Sequence, residues 1–118
     1  MMKSGSDLIN EAKSRIREVS ADDALAAHGG PGVSFLDVRD LQEVNLGRIP
    51  GAVHISRGNL EQKVEAVVPR EAEIIVYCGG GGRSALAADT LRQMGYTKVR
   101  SLAGGFRAWA EANGEIDG

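Results

Sequence analysis

The chain has a single cysteine, and it stands at the start of the most flexible segment. Four consecutive glycines follow Cys78: Gly79, Gly80, Gly81 and Gly82. Glycines allow successive backbone N–H groups to converge on one point, and such a cluster of amides binds an anion. A cysteine beside it ionises more readily than a free thiol, because positive dipole ends stabilise the thiolate. The pattern therefore predicts a nucleophilic thiolate at Cys78.

Two further features strengthen this prediction. The segment SALAADTLRQM begins at Ser84, ends at Gly95 and is rich in helix-favouring residues, so the positive end of a helix dipole points at the glycines. The guanidinium of Arg83 can fold back over the loop and face a bound anion. A lone cysteine that ends a core strand is ordinarily a small hydrophobic residue. Four successive glycines are costly in ordered structure, however, and this cost favours a functional thiol.

The glycines also fit a second pattern, the dinucleotide fingerprint G-x-G-x-x-G/A, at Gly80, Gly82 and Ala85. That fingerprint requires an acidic residue about 20 positions later, which binds the ribose. The segment VRSLAGG at 99–105 offers none. The sequence therefore favours thiol chemistry over dinucleotide binding.

The elements around Cys78 alternate between strands and helices. Strands are predicted for VSFLDV at 33–38 and IIVY at 74–77, and weaker ones for AVHI at 52–55 and VRSL at 99–102. Helices are predicted from Asn59, from Ser84 and from Phe106. This alternation predicts an α/β domain with a parallel sheet and helices on both faces. In such a sheet ligands bind beyond the carboxyl ends of the strands, which is where Cys78 follows IIVY.

Two helices are predicted before the first strand. Residues 8–19 place apolar side chains at helical spacing, and Ser20 with Asp23 fits a capping box that opens a second helix, ADDALAAH. Gly29 and Gly30 end that helix.

Composition limits the classes of function. The 118 residues fit one domain, and a formal net charge of −2 gives no reason to expect a nucleic-acid partner. One cysteine cannot form an intramolecular disulfide, and the polar first residues lack the apolar core of a signal peptide. No apolar run is long enough to span a bilayer. We therefore expect a cytoplasmic protein without membrane association.

Other charged and polar residues have structural interpretations. His28 and His54 stand apart from any cluster of Cys, Asp or Glu, so no metal site is expected. Arg48 and Arg57 are candidates for the rim of a pocket, but solvated surface arginine is the more common case.

Four motifs resemble those of the single-domain rhodanese sulfurtransferases. They are Asp-Val-Arg at 37–39, Gly-x-Ile-Pro-Gly-Ala at 47–52, Cys-x-x-Gly-x-Arg-Ser at 78–84 and Gly-Gly-Phe-x-x-Trp at 104–109. They occur in the family's order and at its separations. The resemblance covers most of residues 19–110, so residues 1–18 are interpreted as an N-terminal helical extension and residues 19–118 as the rhodanese domain.

The resemblance implies a sheet of about five parallel strands and a sulfurtransferase activity. Cys78 would take sulfane sulfur from a small anionic donor such as thiosulfate, carry it as a persulfide, and pass it to cyanide or to a thiol of a small molecule or protein. The backbone amides of the four glycines and of Ser84 would bind the anionic sulfur, and Arg83 would add charge. Asp37 and Arg39 would pair to support the loop from below. Neither a metal nor an organic cofactor is implied.

Two alternatives remain open. The module could carry persulfide sulfur received from a partner, or sense oxidants, without turnover. Protein phosphatases of the same superfamily have five residues between cysteine and arginine, whereas this chain has four between Cys78 and Arg83. A tighter ring of amides suits a sulfur atom better than a phosphoryl group with three equatorial oxygens. The spacing therefore favours sulfur transfer.

Overall fold

The computed structural model describes residues 2–118. Within these residues five strands are present: β1 Arg17–Val19, β2 Val33–Asp37, β3 Val53–His54, β4 Glu73–Tyr77 and β5 Val99–Leu102. Six α-helices are present: α1 Gly5–Arg15, α2 Ala21–Ala27, α3 Leu41–Asn45, α4 Leu60–Val67, α5 Gly82–Gln93 and α6 Gly105–Glu111. A short 3₁₀ turn, Arg57–Asn59, precedes α4.

The strands form one sheet in the order β1-β5-β4-β2-β3, and every neighbouring pair is parallel. Strand β4 is central, with Val76 opposite Leu36 on one side and Ser101 on the other. The carboxyl end of β4 therefore opens at the middle of the sheet edge, where a ligand can be surrounded by loops from both sides. The predicted parallel α/β sheet is confirmed, and so is the expected strand count.

Alternate side chains of the strands bury two separate cores, as the period of a strand requires. On one face the sheet packs against α4 and α5, through Leu36, Ile74, Val76, Val64 and Leu91. On the other face it packs against α2 and α6, through Phe35, Ile75, Tyr77, Ala24 and Trp109. Because helices cover both faces, the site is confined to the carboxyl edge of the sheet.

The first element differs from the sequence prediction. The helix predicted over 8–19 runs instead over Gly5–Arg15, where the hydroxyl of Ser4 caps the N–H of Asp7 at 3.0 Å, and the chain then enters β1. Apolar residues at 16 and 19 fit a helix and a short strand equally well from their spacing alone. A long-range contact decides between helix and strand, because Val19 pairs with Leu102 of β5.

Helix α1 is attached to the domain through α5. Ala12 is fully buried, and the guanidinium of Arg15 binds both carboxylate oxygens of Asp89, with an Nη2–Oδ2 distance of 2.9 Å. Ile9 reaches the start of α5, where its Cδ1 would lie 3.2 Å from a Cβ placed on Gly82. The N-terminal helix therefore packs beside the glycine loop. Within residues 2–118 no helix has the length and apolar character needed to cross a membrane.

Candidate active site

Cys78 lies one residue beyond β4, at the base of the glycine loop, with only 1% of its surface exposed. The loop closes at Gly81, whose φ of 105° is left-handed and therefore strongly favours glycine. Helix α5 begins at once, at Gly82, two residues earlier than the sequence predicts. Its amino end consequently points at the thiol.

Three polar groups of the loop surround the Cys78 sulfur. The N–H of Gly81 donates to Sγ at 3.1 Å and the N–H of Ser84 at 3.4 Å, while the Ser84 hydroxyl lies 3.5 Å away. Burial raises the pKa of the Cys78 thiol, but the hydrogen bonds from Ser84, Gly81 and Gly80 outweigh it and hold the pKa below its ordinary value. The ring of donors therefore favours the thiolate.

The Ser84 hydroxyl is itself held in place by β5. Its Oγ lies 2.8 Å from the Oγ of Ser101, and both residues are fully buried. If Ser101 donates this hydrogen bond, the proton of Ser84 is free to point at the sulfur. The neighbouring strand thus fixes the position of the Ser84 hydroxyl beside Cys78.

The loop is fixed from behind by the start of α6. The N–H of Phe106 donates to the carbonyl of Cys78 at 2.7 Å, and the N–H of Arg107 donates to the carbonyl of Gly79 at 3.1 Å. Gly105, with φ +60°, makes this approach feasible, because a Cβ there would overlap the carbonyl of Cys78. The Gly-Gly-Phe segment noted in the sequence therefore clamps the backbone on both sides of the thiol.

Arg83 forms an ion pair with a residue that the sequence analysis missed. Its Nη1 and Nη2 bind the two carboxylate oxygens of Glu43 at 2.7 and 2.9 Å. Arg83 lowers the pKa of Glu43 to about 2, and Glu43 in turn raises the pKa of Arg83. A signal was available, because Asp40 and Glu43 have the spacing of a capping box, which predicts the helix α3 that carries Glu43.

Asp37 and Arg39 form a buried pair next to the loop. Arg39 Nη2 lies 2.8 Å from Asp37 Oδ2 and also donates to the carbonyl of Gly47 at 2.8 Å. The side chain of Arg39 is 4% exposed and that of Asp37 is 1% exposed. The guanidinium carbon is 4.3 Å from the centroid of the Phe106 ring. These contacts join the end of β2 to the segment before β3 and to α6.

A cavity of about 310 Å³ opens beside the loop. Its lining includes Leu46, Gly47, Phe106, Arg107, Glu43 and Gly79. Apolar and charged side chains thus share one cavity between α3, the glycine loop and α6.

The other polar residues singled out in the sequence neither contact Sγ nor line the cavity. Arg57 pairs with Glu61 at 3.0 Å, and Arg48 is exposed. His28 and His54 lie 2.8 Å from the carbonyls of Pro50 and Arg39, respectively. Their contacts fit the structural interpretation of these four residues.

Comparison with known proteins places this arrangement in a wider group. Residues 20–112 match the family described as the rhodanese-like domain. The chain is 32% identical over 96 residues to the thiosulfate sulfurtransferase GlpE of Tolumonas auensis, covering 81% of this chain and 90% of that protein. It is 31% identical over 109 residues to YrkF of Bacillus subtilis, a proposed sulfur carrier protein, covering 92% of this chain but only 58% of YrkF.

A solved structure shows the same architecture over almost the whole chain. It belongs to a Rhodopseudomonas palustris protein of unknown function, described as a possible tyrosine phosphatase. The two are 36% identical with a TM-score of 0.91, and the alignment covers 99% of this chain and 96% of the other. The similarity includes the N-terminal helix, which precedes the residues matched by the family.

Proposed function

The chain belongs to the rhodanese-like domain family of sulfurtransferases, and we propose that it moves sulfane sulfur from a donor such as thiosulfate to a thiophilic acceptor through a persulfide on Cys78. The observation that carries this proposal is the set of donors around Sγ. Gly81 and Ser84 supply N–H groups at 3.1 and 3.4 Å, and together with the Ser84 hydroxyl they hold the pKa of the thiol below its ordinary value although burial raises it.

In the first step the Cys78 thiolate attacks the outer sulfur of thiosulfate. A new S–S bond forms, the S–S bond of thiosulfate breaks, and sulfite leaves with the electron pair of that bond. The product is the Cys78 persulfide anion. We assign Gly79, Gly80, Gly81, Gly82 and Ser84 to binding the terminal sulfur through backbone N–H groups, because the N–H groups of Gly81 and Ser84 already point at the Sγ to which that sulfur would be bonded.

In the second step a nucleophile attacks the terminal sulfur of the persulfide. Cyanide forms thiocyanate, or a thiolate forms a new persulfide, and the electrons of the broken S–S bond return to Cys78 as thiolate. The cycle is redox-neutral overall. Arg83 lies next to the loop with its guanidinium paired to Glu43, and the buried pair of Asp37 and Arg39 supports the loop without touching the reacting sulfur.

A thiosulfate-to-cyanide assay with Cys78→Ala as the control tests this proposal. We expect thiocyanate from the unaltered protein and none above background from the variant. Intact-mass measurement after thiosulfate treatment should show the gain of one sulfur atom, which cyanide removes. Absence of both the thiocyanate and the added sulfur would refute the proposal.

A second candidate is a persulfide carrier that receives its sulfur from a partner protein. The burial of Cys78 favours it, because a cysteine with 1% of its surface exposed is poorly accessible to a dissolved donor. In that case purified protein would accept sulfur slowly from thiosulfate yet hold it stably. A persulfide detected by mass, without multiple turnovers to cyanide, would favour the carrier over the enzyme.

Phosphatase activity is less well supported. Only four residues separate Cys78 from Arg83, and the Arg83 guanidinium is paired with Glu43. A phosphoryl group would have to compete with that carboxylate for the cation. Hydrolysis of an aryl phosphate that is lost in Cys78→Ala would overturn this assignment.

A further inference from the structure

The glycine loop has one charged side chain, Arg83, and that charge is already paired. Both nitrogen-to-oxygen distances of the pair with Glu43 are below 3.0 Å, the geometry of the strongest arginine–carboxylate contacts. The carboxylate stays ionised through the physiological range, since Arg83 lowers the pKa of Glu43 to about 2. Glu43 therefore presents a permanent negative charge at the site.

This ion pair lies directly against the loop. A Cβ placed on Gly79 would be 3.4 Å from Nη2 of Arg83 and 3.5 Å from Oε2 of Glu43. Glu43 is also held from its own helix, because its Oε1 accepts a hydrogen bond from the N–H of Asp40 at 3.1 Å. The carboxylate is thus held from two sides, by Arg83 and by the backbone of its own helix, while both side chains of the pair remain partly exposed.

Apart from Arg83, little charge beside the loop offsets this carboxylate. The guanidinium of Arg39 is cancelled by Asp37 in the buried pair. Arg107 is exposed and lines the cavity, and within residues 2–118 it makes no ion pair. Arg107 is therefore the one cation lining this cavity that is not paired with a carboxylate in the described residues, and it lies on the same cavity as Glu43.

We propose that Glu43 is a specificity-determining residue: by pairing with Arg83 it makes the site discriminate between sulfur donors according to their charge and disfavour dianions such as thiosulfate. This inference rests on the proposed sulfur transfer and adds the donor's charge to it. A donor with one negative charge fewer is repelled less by the carboxylate and depends less on the arginine. Glu43 acts through the field and through Arg83, not by contact with the reacting sulfur.

Two donors of nearly the same shape separate charge from size. Thiosulfate is a dianion, and methanethiosulfonate replaces one of its oxygens with a methyl group and is a monoanion. With thiosulfate the Cys78 thiolate takes the outer sulfur and sulfite leaves; with methanethiosulfonate the same bond forms and methanesulfinate leaves. The ratio of the two kcat/KM values therefore reports how the site responds to one unit of charge.

Glu43→Gln is the primary variant, because the amide oxygen can still accept from the N–H of Asp40 while the charge is lost. We expect kcat/KM for thiosulfate to rise on the order of tenfold relative to methanethiosulfonate, the effect of one partly screened unit charge at short range. The rise should shrink at high ionic strength. Glu65→Gln is the matched control, since it removes one carboxylate from an exposed pair with Arg70, which binds the carbonyl of Met94 at the far end of α5.

A double-mutant cycle keeps the test independent of any loss of activity in a single variant. Arg83→Gln should lower the thiosulfate-to-methanethiosulfonate ratio, because Glu43 is then uncompensated. Adding Glu43→Gln to Arg83→Gln should restore the ratio to near the original value. If Glu43 only positions Arg83, the thiosulfate-to-methanethiosulfonate ratio of Arg83→Gln will equal that of the double variant, and the inference is overturned.

The remaining outcomes are also decisive. An equal change for both donors in Glu43→Gln, or no change for either, refutes donor discrimination by Glu43. Failure of the proposed function looks different, because the unaltered protein would then form no Cys78 persulfide with either donor.

Discussion

Replacement of Ser84 by alanine tests whether the loop creates the thiolate. The change removes the hydroxyl 3.5 Å from Sγ but keeps the backbone N–H groups of Ser84 and Gly81. A hydrogen bond to a charged group contributes about 1.5–3 kcal/mol, and we take the lower end because this contact is long. The pKa of the Cys78 thiol should rise, and the thiolate fraction at a pH below that pKa should fall about tenfold.

The assay is the rate of alkylation by iodoacetamide as a function of pH. Cys78 is the only cysteine, so the modified mass reports one thiol without ambiguity. The midpoint of the rate profile should move to higher pH in Ser84→Ala, and the plateau at alkaline pH should be largely preserved. Thiocyanate production at neutral pH should fall in parallel.

Ser101→Ala is the matched control, because it breaks the same 2.8 Å contact between hydroxyls but keeps both Ser84 donors to the sulfur. The two variants should lose similar free energy of unfolding, since each leaves one buried hydroxyl without this partner. Only Ser84→Ala should shift the alkylation profile strongly. An unchanged midpoint in a folded Ser84→Ala protein would refute the assignment of Ser84 as a thiolate donor.

Three further substitutions test the surrounding structure. Arg39→Ala leaves the buried carboxylate of Asp37 unpaired and should cost about 3–5 kcal/mol in denaturant unfolding; a cost below 1 kcal/mol would contradict the supporting role. Gly105→Ala forces a Cβ into the loop backbone, so sulfur transfer should be lost even where circular dichroism shows a folded domain. Arg15 lowers the pKa of Asp89, and the stability that this pair contributes is lost as pH falls through the folded-state pKa of Asp89. At neutral pH the pair is intact, so Asp89→Asn should speed hydrogen exchange in α1. Unchanged exchange would mean that other contacts hold the helix.

The central part of the fold could be predicted because its signals are local. Strand β4 is a run of buried apolar residues followed directly by Cys78 and the glycines, so its position and its chemistry could be read from one short segment. Strand β1 could not be predicted, because three residues carry no period and only their pairing with β5 makes them a strand. Helix α3 has five residues, too few for a helical period, and its one sequence signal is the capping-box spacing of Asp40 and Glu43.

The site was predictable to the same limited extent. Successive glycines and a following helix are enough to direct amides at the thiol, and two of the donors predicted from the sequence contact Sγ. The partner of Arg83 was not predictable from charge alone, because Glu43 is 40 residues away and reaches it only through the packing of α3 against the loop. Long-range ion pairs of this kind require the tertiary structure.

The sheet has its longest strands in the middle and its shortest at the margins, and this arrangement bears on self-association. The marginal strands β1 and β3 have three and two residues, whereas β2 and β4 have five each. A margin this short exposes few unsatisfied amides to an incoming chain, so it is a poor template for strand-by-strand growth. At high concentration the domain should therefore resist fibril formation without a dedicated protective element at either margin.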